Sequence, residues 1–130
     1  MQKTIKAPKG YDRLTRALRI LRGEWEYFPV HVALLFLAVG RADSQGRPMT
    51  VREAAAAVDS PEPTVSRNLR VLAGGQPGRG GPVAPELLEL CAHPSDHRCK
   101  LVRLTPRGRS VYAALMTTGL RERESARSTS

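Results

Sequence analysis

A chain of 130 residues holds one domain rather than two, since a second takes roughly another hundred. Hydrophobic residues make up 41%, yet the longest mainly apolar stretch, 28–39, falls short of the about 20 that span a bilayer; two cysteines and a basic start without an apolar segment argue against a stapled, secreted scaffold, so the expected location is cytoplasmic with no membrane partner. Lys and Arg number 21 against 12 Asp and Glu, a net charge of +9 carried almost wholly by arginine and spread along the chain, which favours nucleic acid as a partner.

Residues 1–9 read as a flexible basic arm. Tyr11, Leu14, Leu18 and Leu21 recur at helical spacing, with Arg16 and Arg19 on the far side, and predict an amphipathic helix. Pro29 opens a second helix, to about Val39, apolar nearly all round and hence expected at the centre of the core. A loop over 43–48 follows. Thr50 with Glu53 three residues on is a capping box that starts a third helix. The Asp59-Ser60-Pro61-Glu62-Pro63 turn then leads into a fourth, with Val65, Leu69 and Leu72 as its buried stripe and Ser66, Arg67 and Arg70 on the opposite face. Two short helices joined by a tight turn, the second basic on its outer side, predict a helix-turn-helix over 50–73.

The Gly/Pro-rich segment 74–86 reads as a loop. Apolar runs at Leu87–Ala92 and Lys100–Leu104 flank Pro94-Ser95-Asp96-His97 and predict a β-hairpin, the wing, over 87–104. Thr105 caps a last helix, 106–118, with Pro106 in its first turn and Gly119 at its end, and 121–130 reads as a disordered tail. The fold class is mainly α with a small β-hairpin, a winged helix-turn-helix over 10–120.

Three pieces of the chain then resemble the MarR family of bacterial winged-helix transcription regulators: Thr50-Val51-Arg52-Glu53-Ala54-Ala55, residues 60–72 (SPEPTVSRNLRVL), and Asp96-His97-Arg98 with Leu101-Val102-Arg103-Leu104-Thr105-Pro106-Arg107-Gly108. The last is the most specific, an Asp-x-Arg in the wing followed by Leu-Thr-x-x-Gly. The chain departs from the family pattern in about a dozen extra residues, Gln76 to Glu86, and in its short C-terminal helical region. The resemblance implies that Arg98 supports the wing against or in the minor groove and that Asp96 orients it through an ion pair rather than touching DNA.

The helix-turn-helix context itself gives Arg67 and Arg70 a major-groove position, where arginine binds guanine O6 and N7 in two-pronged fashion. Thr64 and Ser66, near the start of that helix, are candidate phosphate or base-edge donors, and Lys100 joins Arg98 in the wing. The rival reading for each is a solvated surface residue. Centring the hairpin on Ser95 places Cys91 opposite Cys99 and His93 opposite His97 on one face, a ligand set for zinc or a pair for a reversible disulfide, against the plainer reading of half-buried cysteines and polar wing histidines. No catalytic arrangement and no cofactor motif stand out, so the chain is not read as an enzyme. The expected function is sequence-specific binding of double-stranded DNA to regulate transcription, as a repressor, by a homodimer formed through the first and last helices. The alternatives are a replication, partition or architectural DNA-binding protein, or a winged helix used as a protein-interaction module. The residues name neither an operator nor a small-molecule effector.

Overall fold

The computed structural model describes residues 9–74, 86–96 and 98–128. Most of the expected basic arm, nearly all of the 74–86 loop, His97 and the end of the expected tail lie outside them. Among the described residues, α1 (Lys9–Glu24), α2 (Val30–Ser44), β1 (Met49–Thr50), α3 (Val51–Ala57), α4 (Glu62–Leu72), β2 (Leu88–Ala92), β3 (Lys100–Leu104) and α5 (Pro106–Ser128) follow in order, and the three antiparallel strands lie in the order β1-β3-β2. This is a winged helix-turn-helix.

Local chemistry sets most boundaries. The Thr50 hydroxyl accepts from the Glu53 N–H at 3.1 Å while the Glu53 carboxylate accepts from the Thr50 N–H at 3.0 Å, completing the capping box. α3 ends with Asp59 in the left-handed region at φ 51°; the Asp59 N–H donates to the Ala56 carbonyl and the Ser60 N–H to that of Ala55. These two bonds form a Schellman motif, which turns the chain sharply into α4. The same motif ends α2 at Gly46, φ 76°, with N–H donations from Gly46 to Asp43 and from Arg47 to Ala42. Hence α2 runs five residues past the expected end near Val39: nothing before Gly46 breaks it, so Asp43 and Ser44 belong to the helix rather than to a loop.

Val32, Leu35, Phe36 and Val39 of α2, Val65, Leu69 and Leu72 of α4, Leu88, Val102 and Leu104 of the sheet, and Val111 and Leu115 of α5 form the core. Phe36 meets Tyr112 edge-on, ring centroids 6.3 Å apart, and Gly40 lies directly under the Tyr112 ring. α2 is not wholly interior, however: Val30 is 73% and Leu34 54% exposed, on the side away from α3 and α4.

Three further expectations are corrected. Met49–Thr50 pair with Leu101–Val102 and add a third strand to the sheet; two residues joined directly to a helix cap leave no periodicity to read. The β2–β3 register pairs Leu88 with Leu104 and Cys91 with Leu101, two residues away from a hairpin centred on Ser95. Its cause is the wing tip, where the His93 N–H donates to the Cys99 carbonyl and the Cys99 N–H to that of Asp96, so that the turn is longer on its C-terminal side. Finally, α5 continues through Gly119 to Ser128 instead of ending at 118. A glycine inside a helix costs only about 1 kcal/mol, and Arg121-Glu122-Arg123-Glu124 beyond it are good helix formers.

The start of α5 is fastened to the start of the wing. The Thr105 hydroxyl donates to the Glu86 carbonyl at 2.6 Å and accepts from the Gly108 N–H at 3.0 Å, while the Thr105 N–H donates to the Leu87 carbonyl at 3.1 Å. A Cβ on Gly108 would overlap that same Leu87 carbonyl. The spacing Leu-Thr-x-x-Gly is thus a helix cap with a close backbone approach. Gly108→Ala should lower unfolding free energy in urea by about 2 kcal/mol or more, because backbone rather than a flexible side chain must move. Gly23→Ala, in α1 with nothing within 4 Å, should instead gain about 0.5–1 kcal/mol. Equal effects at the two sites would dismiss the close approach.

Candidate nucleic-acid interface

With its stripe of Val65, Leu69 and Leu72 buried in the core, α4 presents the rest of its surface outward. At about 100° per residue, Glu62, Ser66 and Arg70 form one row along the flank that faces the wing, while Arg67 lies nearly opposite the buried stripe. Thr64, Arg67 and Arg70 are exposed and Ser66 is half-buried.

An open cleft of about 430 Å³ separates that flank from the wing. Ser66 and Arg70 line it from α4, Arg98 and Lys100 from the wing, above apolar groups of Val51, Leu69 and Leu90; Glu62 and Pro63 close its end at the start of α4. The structure therefore brings together four of the sequence-predicted residues and leaves Thr64 and Arg67 outside the cleft, on the open face of the helix. Sequence reasoning missed Glu62, Val51 and Leu90. The i, i+4 spacing with Ser66 marks Glu62 as a neighbour; the other two meet α4 only through the tertiary fold.

At the wing tip, Asp96 Oδ1 accepts from the backbone N–H of Arg98 at 3.0 Å, and Oδ2 accepts from the Cys99 thiol at 3.5 Å. This is a turn held by a side chain. The expected carboxylate–guanidinium pair is replaced by a bond to the Arg98 backbone, because an acceptor two residues before an N–H reaches it with less loss of side-chain freedom. His93 Nδ1 likewise accepts from the Ser95 N–H at 3.0 Å.

The register separates the two cysteines. Cys91 faces Leu101, and Cys99 sits opposite His93, so the thiols are diagonal rather than paired; both are free. Diagonal positions are about 7–8 Å apart, beyond ordinary disulfide reach. Among the described residues, no group of three or more His, Cys, Asp and Glu side chains is placed to hold a metal ion, and His97 lies outside them.

On the other side of the molecule, α1, α2 and α5 enclose an apolar groove of about 480 Å³ lined by Leu14, Leu18, Val30, Leu34 and Met116, among others. Leu14 is 67% and Leu18 62% exposed. Of the two terminal stripes expected to await a partner, that of α5 is largely satisfied within the chain, with Val111 and Leu115 buried, and that of α1 is not. Arg107 Nε donates to Glu24 Oε1 at 2.7 Å and ties the end of α1 to the start of α5. Among the described residues, no helix is long and apolar enough to cross a membrane.

Comparison with solved structures identifies this arrangement. S. aureus MepR in its complex with DNA superposes with a TM-score of 0.67 at 18% identity, over 92% of this chain and 86% of that one. The chain has the fold of the MarR family. MepR bound to ethidium bromide gives a TM-score of 0.63 at 19% identity, covering 93% of this chain and 76% of that one, and MarR itself gives 0.52 at 20% identity, covering 93% and 76%. No protein-family model matches the sequence, and no curated protein is significantly similar to it. Within the MarR fold, α4 occupies the second helix of the helix-turn-helix and β2–β3 the wing.

The Cys99 thiol carries a chemical signature of its own. The Asp96 carboxylate that accepts its hydrogen holds the thiol above its ordinary value, with desolvation and the Asp96 charge acting the same way. Thiolate is the nucleophile, so a raised value slows reaction at neutral pH. Asp96→Asn keeps an acceptor for the Arg98 N–H and removes the charge. Alkylation of Cys99 by iodoacetamide at pH 8, followed by mass spectrometry with Cys91 as internal reference, should accelerate several-fold in that variant. An unchanged rate would dissociate Asp96 from the thiol.

Proposed function

We propose that the chain is a sequence-specific regulator of transcription that binds double-stranded DNA as a homodimer, and that it acts by binding rather than by catalysis. The observation that carries this reading is the convergence of Ser66, Arg70, Arg98 and Lys100 on one cleft, beside the exposed Arg67, in a chain of net charge +9. Cations on two elements that diverge from a common core match the shape of a duplex, whose major groove accepts α4 while the wing follows the neighbouring backbone. MepR, of the same fold, has been crystallised with DNA. Occupying a promoter makes the regulator a repressor, acting on the cytoplasmic nucleoid.

The exposed apolar face of Leu14, Leu18, Val30 and Leu34 supports a two-fold partner, since burying about 25 cal/mol per Å² of such surface favours association. Two copies related in this way would present their α4 helices about 34 Å apart, one DNA turn, to a palindromic site.

Selection from a random duplex pool followed by titration against salt tests the reading. A palindrome should be enriched, and its affinity should fall by about three decades between 50 and 200 mM salt. Arg67→Ala should preserve the fold and relax preference at one base pair per half-site, by about 1–3 kcal/mol. No enrichment would favour an architectural protein, and no salt-sensitive complex would favour a protein-interaction module. For assembly, light scattering at about 100 µM should give a dimer for the native chain and a monomer for Leu18→Glu. A monomeric native chain would remove the dimer from the proposal.

A further inference from the structure

The sequence treats Arg67 and Arg70 alike, as two base-reading arginines on one helix face. Their places in the structure differ. Arg70 belongs to the row that includes Glu62 and Ser66 and lines the cleft between α4 and the wing; Arg67 does not line it. The cleft combines two chemistries. Its cations are Arg70, Arg98 and Lys100, from opposite sides, with Ser66 beside them on α4, and below them lie the half-buried apolar side chains of Val51 and Leu90.

A free inorganic anion has no use for an apolar surface. A sugar–phosphate strand has both parts: anionic phosphates that meet arginine and lysine, and deoxyribose carbons that cover aliphatic side chains. Base edges, in contrast, lie in the floor of the groove, ahead of the helix face opposite its buried stripe. Resting on the DNA-binding reading above, we propose that the cleft seats the backbone of one DNA strand, so that Arg70, with Ser66, Arg98 and Lys100, is a phosphate clamp, and Arg67 alone of the two arginines reads sequence. Glu62 fits this division. Its carboxylate repels phosphate and closes the end of the cleft at the start of α4, where the helix dipole favours it, which fixes how far along the cleft the strand lies.

The test uses the full chain, the duplex that it selects, and the set of single-base-pair variants of that duplex. Wild type, Arg67→Ala, Arg70→Ala and Arg70→Lys are titrated with each duplex over a salt series, with circular dichroism and urea unfolding to establish that each is folded. Arg70→Ala should weaken binding to every duplex by the same factor, about ten-fold, and reduce the salt slope by about one per bound subunit. Arg70→Lys should restore both, because a phosphate accepts a point charge where a guanine edge requires the fork. Arg67→Ala should change the ranking of the duplexes. If Arg70→Ala instead loses preference at one base pair and Arg70→Lys fails to restore it, Arg70 is a direct reader and the clamp is wrong. Unchanged affinity and slope in Arg70→Ala would leave the cleft empty in the complex and overturn the proposal as well. A wild-type chain without a salt-sensitive DNA complex would overturn the underlying reading, a result distinct from either of these.

Discussion

The carbonyl of Leu87 rests against the backbone of Gly108, and the junction of α4, the wing and α5 depends on that approach. Leu87 is fully buried; its N–H donates to the Leu72 carbonyl at the end of α4 at 2.8 Å, and its own carbonyl accepts from the Thr105 N–H at the start of α5. One residue therefore joins the last turn of α4, the entry to the wing and the cap of α5. A side chain at 108 would push these apart, and with them the two walls of the cleft. Buried backbone groups left unpaired are costly, so the two bonds are cooperative: loss of the approach leaves both poorly made. The arginines do the proposed binding, and the close approach at Gly108 helps hold the start of the wing against α4 and α5.

The same junction explains how the chain accommodates its extra residues between α4 and the wing. Ala73 and Glu86 form a bridge, and with the Leu87–Leu72 bond they bring the two ends of the segment together. Once the ends are pinned, lengthening the connection adds closure entropy only slowly, about 0.6 kcal/mol per doubling. The start of the wing is thus held to the end of α4 by bonds of the described residues themselves. From the other side Asp43, in the last turn of α2, accepts the Leu104 N–H at 3.0 Å, and β1 holds Leu101 and Val102. β3 is consequently fixed along its length by α2, β1 and β2.

Much of this could be read from the residues because it is local. A Thr-x-x-Glu box, a stripe at Val65, Leu69 and Leu72, and a Thr-Pro pair ahead of Gly108 each state their structure within a turn of helix. What the sequence concealed depends on distant parts meeting. The hairpin register follows from bonds across the wing tip, not from the centre of the Pro94-Ser95 turn, and a shift of two residues preserves the facing pattern while separating Cys91 from Cys99. The two-residue β1 exists only because β3 lies beside it. In the site, the arginines were legible as a basic face, but their division between the cleft and the open side of α4 required the wing to be in place. Glu62 reads from the sequence as part of the Asp59–Pro63 turn, whereas α4 begins with it.

The cationic cleft and the apolar groove are chemically incompatible surfaces, and the fold keeps them apart by giving α5 two jobs. Its first turn carries the Thr105–Gly108 fastening to the wing and, through Arg107, the ion pair to Glu24 of α1; one helical turn later Val111 and Leu115 enter the core, and Met116 emerges on the groove. The Arg107–Glu24 pair is more than half exposed on the arginine side, so it contributes little to stability. It ties the end of α1 to the start of α5, two helices that also pack against each other. In the proposed dimer α1 bears most of the exposed apolar surface, so its packing on α5 bears on how two copies meet, while the Leu87–Gly108 approach bears on where each cleft points. Both constraints act within the first three residues of one helix. In the proposed dimer, the placement of the two clefts then depends on a short stretch of backbone at the start of α5.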